Sequence, residues 1–124
     1  MIEIDIITYL QSQSLGTIGT DLFETTLPDS PDFATAVRVY DADPTDLAWN
    51  GEYPKFQVIV RSRSHADGSK RIQEIYEKLH GVAEQLLNGK RYLLIQAIQP
   101  PFFLSFDKSG RRQYVANFKV IKEI

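Results

Sequence analysis

Cysteine is absent from the 124-residue chain, which removes a disulfide framework, a thiolate-ligated metal, an iron–sulfur cluster and a cysteine nucleophile together. Histidine is nearly as scarce. His65 and His80 stand apart in sequence and belong to no metal-ligand or nucleophile motif. No apolar run approaches the roughly 20 residues that span a bilayer, so no membrane partner is expected. Glu3 and Asp5 occupy the place where a signal peptide carries positive charge, which argues against a secreted product. Basic side chains are almost missing from residues 1–50, where Arg38 faces nine acidic residues for a net of −8. Residues 51–124 reverse this, with thirteen basic against seven acidic and a net of +6. Such a division means either local pairing over one surface or complementarity toward a neighbouring subunit or partner.

What is present is ordinary for a folded protein. Hydrophobic residues make up 43% and charged residues 24% of the chain, and the length suits a single domain over residues 1–124. Residues 2–13 fit both a helical stripe and a strand alternation, with helix the preferred reading. Gly16 and Gly19 end it, and a short strand is expected from Leu22 to Leu27 before Pro28. A turn at Asp29–Asp32 leads to a strand over Ala34–Tyr40, an acidic loop over Asp41–Tyr53, and a strand over Lys55–Arg63 that Pro54 opens. Ile72, Ile75, Tyr76 and Leu79 share the i, i+3, i+4, i+7 face of a helix over Asp67–His80. Val82–Leu87 reads as a further helical turn up to Asn88-Gly89. Strands over Arg91–Gln99, Phe102–Asp107 and Arg112–Ile121 complete the chain. The fold class is therefore α+β, with one mixed or antiparallel sheet of about five or six strands and two helices packed on one face. Phe56, Val58 and Val60 should meet the main helix in the core.

No catalytic constellation emerges, and neither a bound metal nor a cofactor is expected. Asp41, Asp43, Asp46 and Glu52 superficially suggest a calcium loop, but its glycine and its twelfth-position acid are missing. The Gly16–Gly19 segment lacks the lysine and preceding strand of a phosphate loop. Arg61, Arg63, Lys70 and Arg71, and later Lys108, Arg111 and Arg112, raise the possibility of a small DNA-contacting domain. The pI near 5.6 and the lack of a nucleic-acid motif favour solvated charge instead. Trp49 is the single tryptophan, read first as a partly buried core anchor and second as an interface anchor.

Leu15-Gly-Thr-Ile-Gly-Thr-Asp-Leu-Phe23, Tyr53-Pro-Lys-Phe-Gln-Val-Ile-Val-Arg-Ser62 and the helix ending Ile75-Tyr-Glu-Lys-Leu-His-Gly81 resemble the bacteriophage minor capsid protein family. Asp107-Lys-Ser-Gly-Arg111 and Asn117-Phe-Lys-Val120 extend the likeness through most of the chain. That family is itself similar to the tail terminator and tail completion proteins of long-tailed phages. The resemblance implies a non-enzymatic subunit of the virion tail, assembled in the host cytoplasm. It would form a homo-oligomeric ring, typically a hexamer, at the head-proximal end of the tail tube, stop tube polymerisation and join tail to head. Tail tube protein and a head–tail connector protein are the implied partners, with DNA only as passing cargo. A connector or stopper on the portal side is the alternative within the same assembly.

An acidic half and a basic half suit a head-to-tail interface better than a two-fold one, because two different patches then meet. The expected contact places Asp43, Asp46, Trp49, Glu52 and Tyr53 of one subunit against Arg61 and Arg63 of the next. The competing expectation pairs these arginines with the acidic loop of their own chain.

Overall fold

In the computed structural model, residues 2–46 and 48–124 are described, the side chains of residues 44–46 excepted. Helix α1 (Ile2–Ser12) buries Ile6, Ile7 and Leu10 on one face, which settles the ambiguity of this segment in favour of the helix. Strand β1 (Leu22–Glu24) is shorter than the sequence suggests, since Thr25 takes a left-handed φ of 72° that ends it.

Strands β2 (Ala34–Asp46) and β3 (Gly51–Ser62) form one long hairpin. The expected acidic loop of residues 41–53 is thus corrected to an extension of both strands, with Asp43 paired to Tyr53 and Asp46 to Gly51. Pro54 lies within β3 rather than at its start. The pairing of β3 with β7 (Arg112–Glu123) passes over Tyr53 and Pro54, as the missing proline N–H requires.

Helix α2 (His65–Leu79) starts where the Ser64 hydroxyl accepts from the Asp67 N–H at 3.2 Å. It ends at His80, and Gly81 takes φ 89°. Residues 82–87 do not prolong the helix as expected: they form β4 (Val82–Leu87), paired with β5 (Lys90–Ala97). Asn88 and Gly89, both at positive φ, form the two-residue turn that matches strand twist, so this dipeptide closes a hairpin rather than a helix.

The sheet runs β1-β2-β3-β7-β5-β4, and β6 (Phe102–Phe106) pairs with β7 alone. β5 and β6 lie end to end along one edge of β7, with the Ile98 N–H donating to the Asn117 carbonyl at 2.8 Å between them. β4 is the strand missing from the expected count. β1 and β2 pair in parallel while the other strand pairs among the described residues are antiparallel, so the sheet is mixed. α1 touches β1, β2 and β4, which means that the sheet curls around it.

Both helices feed one hydrophobic core. Ile72, Ile75 and Leu79 of α2 and Ile6, Ile7 and Leu10 of α1 join Phe56, Val58, Val60, Tyr92, Ile95, Ala116 and Phe118 of the sheet. Phe56 stacks on Phe118 with ring centroids 5.0 Å apart. Each fully buried aliphatic side chain of this set contributes about 1.5–3 kcal/mol.

Candidate assembly interface

The hairpin end carries most of the acidic candidates. Trp49 is exposed and does not enter the core, which corrects its first reading. Its indole N–H donates to the Tyr53 hydroxyl at 2.8 Å, and the two rings meet edge to face at 6.2 Å. Gly51 makes room for this, because a Cβ there would lie 2.0 Å from the indole ring. Asp41 pairs with Lys55 at 3.5 Å. Asp43 is exposed beside a depression lined by Tyr53, Lys55, Leu94, Gln96 and Lys119. Glu52 holds the buried Lys122 ammonium at 3.1 Å. The side chain of Asp46 lies outside the described residues.

The arginines lie elsewhere. Gly51 is paired with Glu123, whereas Arg61 is paired with Gln113, so the acidic end and the arginines occupy opposite ends of the β3–β7 ladder. Arg61 is buried in its own chain, donating from Nη2 to the Pro31 carbonyl at 2.6 Å and from Nε to that of Asp32 at 3.2 Å. Burial, with the positive charge of Arg111 nearby, lowers its pKa. Arg63 bonds the Asp32 carboxylate at 2.8 Å. The hydrogen bond from Arg63, assisted by Arg111, holds the Asp32 carboxyl below its ordinary range.

Arg111 is the hub of this region. Buried in its own chain, it reaches Asp29 at 3.2 Å, Asp32 at 3.2 Å and Asp107 at 2.8 Å. Burial pushes the Asp107 carboxyl up, but hydrogen bonds from the Arg111 and Ser109 backbone and from the Arg111 guanidinium outweigh it, and the net shift is downward. Arg61 and Arg63 are therefore held within their own chain by the turn Asp29–Asp32, Arg61 through backbone carbonyls and Arg63 through the Asp32 carboxylate, and not by the segment 41–53.

Sequence reasoning missed a contiguous exposed apolar strand. Phe102, Phe103, Leu104 and Phe106 of β6 are 38–57% exposed. Phe103 packs edge on against Phe106 at 5.3 Å and against Tyr114 at 5.7 Å. The Arg112 guanidinium lies 5.4 Å over the Phe106 ring. A groove of about 240 Å³ between α2 and β6 is lined by His65, Ser69, Ile72, Gln73, Phe103 and Tyr114, among others. The signal was available in sequence: Phe-Phe-Leu-Ser-Phe is apolar without the polar alternation of a half-buried strand.

For nucleic acid the geometry offers little. Arg61, Arg63 and Arg111 are engaged as described, and Arg71 lies 4.9 Å over the Phe33 ring. Among the described residues, no group of three or more His, Asp and Glu side chains is placed to hold a metal.

Comparison with known proteins decides the class. Residues 9–124 match the family described as bacteriophage tail terminator protein. The chain belongs to this family. It is a structural protein of the phage tail. Among solved structures, a chain described as "Virion of native gene transfer agent (GTA) particle" superposes with a TM-score of 0.71 at 17% identity. The superposition covers 99% of this chain and 95% of that one, and at this identity it shows a common fold. No match is found among curated protein sequences.

Proposed function

We propose that this tail protein assembles into a closed, hexameric ring of identical subunits that caps the head-proximal end of the tail tube and halts its growth. Within a family of tail terminators, the observation that carries this reading is the apolar edge strand β6, which among the described residues pairs on one side with β7 and has no strand on the other. An exposed edge lined by Phe and Leu is what folded monomers avoid and assemblies cover. Rings rather than filaments follow if the rotation between subunits closes.

The test is sedimentation of the purified chain, alone and with its tail tube protein, followed by negative-stain imaging. A ring mass and tubes that stop growing at a capped end are expected. A chain that stays monomeric in both settings and leaves tube length unchanged sinks the reading. Recovery with portal-side proteins, and not with tubes, would move the protein to the connector position.

A further inference from the structure

Two of the unpaired edges of the sheet, that of β2 beyond β1 and that of β6, differ in charge and lie at diagonally opposite corners. β1 reaches β2 only as far as Val37, so from Arg38 onward that edge of β2 has no strand beside it among the described residues. This edge presents exposed Tyr40, Asp41 and Asp43, with Trp49 at the nearby turn. At the other corner β6 pairs with β7 alone. There Phe102, Leu104 and Phe106 are exposed, Lys108 is exposed at the adjoining turn, and Arg112 lies over Phe106. One corner is acidic and aromatic, the other basic and aromatic.

We infer that the β6 edge of one subunit receives the β2 edge, residues 38–43, of a second copy of this chain, continuing the sheet from subunit to subunit. This rests on the ring reading above and names its contact. Backbone pairing satisfies both edges. Phe and Leu side chains of β6 supply the buried area, while Lys108 and Arg112 facing Asp41 and Asp43 set the register. Because the two corners are different surfaces, the contact is head-to-tail and propagates around a ring. Arg61 has no part in it, since it is consumed within its own subunit.

Charge reversal tests this on the full chain. Asp41→Lys with Asp43→Lys should weaken assembly about tenfold or more, and Lys108→Glu with Arg112→Glu should do the same. An equimolar mixture of the two variants should restore rings of native mass, because each reversed corner then meets its opposite. Native-like assembly by either variant alone, or no recovery in the mixture, overturns the contact while leaving the ring reading intact. A native chain that never assembles, even with tubes, is instead the failure of the ring reading. Should a variant misfold, the cysteine-free background provides a second measurement. Single cysteines at residue 41 or 43 are combined in one chain with one at residue 102, 104 or 106 and then oxidised. Within a subunit these positions are about 13–30 Å apart along the strands and are also separated laterally by β3 and β7, beyond the reach of a disulfide. At least one combination should give a ladder of cross-linked oligomers. No ladder from any combination overturns the contact.

Discussion

A methyl group added at Gly68 would lie 2.6 and 2.9 Å from the Tyr114 ring and 3.1 Å from the Ser62 Cβ. Alanine is the better helix former by about 1 kcal/mol, yet at this position α2 rests directly on the sheet. Tyr114 is buried and hydrogen-bonded to His65 at 2.5 Å, so the ring is poorly placed to move. Gly68→Ala should therefore destabilise by about 1–3 kcal/mol in denaturant unfolding, and a gain in stability would show that α2 can lift away freely. The carboxylates around Arg111 allow a second prediction. Asp32 and Asp107 both titrate below their ordinary range. Between the lowered native pKa values and the unfolded value of about 3.9, the unfolded chain binds more protons, so stability rises with pH. This contribution is complete above about pH 4 and is lost as pH falls through the native values. Arg111→Met should lower the melting temperature at neutral pH and flatten its decline in acid. An unchanged acid slope would mean that other carboxylates carry it.

At the scale of elements, the periodicities that could be read were those with one buried face. Phe56, Val58 and Val60 alternate and Ile72, Ile75, Tyr76 and Leu79 recur at helical spacing; all are in the core except Tyr76, which is half-buried against it. Leu79→Ala should cost about 2–5 kcal/mol, and a loss below about half a kcal/mol would contradict full burial. The strands that escaped notice lack that contrast. β4 has buried Val82 and Leu87 at its ends and four exposed residues between, so only the Asn88-Gly89 turn marks it. The acidic end of the β2–β3 hairpin is written in aspartates and a proline, residues whose local preference is for loops; pairing across the hairpin overrides it. Trp49 belongs to this element and not to the core, and its position depends on a bare backbone at Gly51. Gly51→Ala should displace the indole from Tyr53, changing tryptophan fluorescence without a large loss of stability. Native emission would show that the ring has another resting place.

Over the whole molecule, the division into an acidic and a basic half was plain in sequence, but its use depended on which ends of the sheet came together. Pairing is a three-dimensional property: Asp29 and Asp32 are far from Arg111 in sequence and adjacent in space, as Asp5 is to Lys90 at 3.6 Å. The proposed contact keeps Asp43 from the sequence reading and takes Lys108 and Arg112 in place of Arg61 and Arg63, because buried Arg61 looks the same in sequence as exposed Lys108. The same compensation bears on DNA. A protein that grips the duplex neutralises phosphates with uncommitted Lys and Arg, and its affinity falls steeply as salt rises. Here Arg61, Arg63 and Arg111 are spent on the turn Asp29–Asp32, and the formal charge of the whole chain is −2. Each monomer should therefore bind duplex DNA at 150 mM salt no more tightly than a dissociation constant of about 10⁻⁴ M, the weak end of non-specific binding. Fluorescence anisotropy with a labelled duplex, titrated from low to high salt, measures this. Micromolar or tighter binding with a steep salt slope would show that cations around Lys70 and Lys108 reach phosphates despite the acids beside them, and would return the DNA-contacting reading to the front.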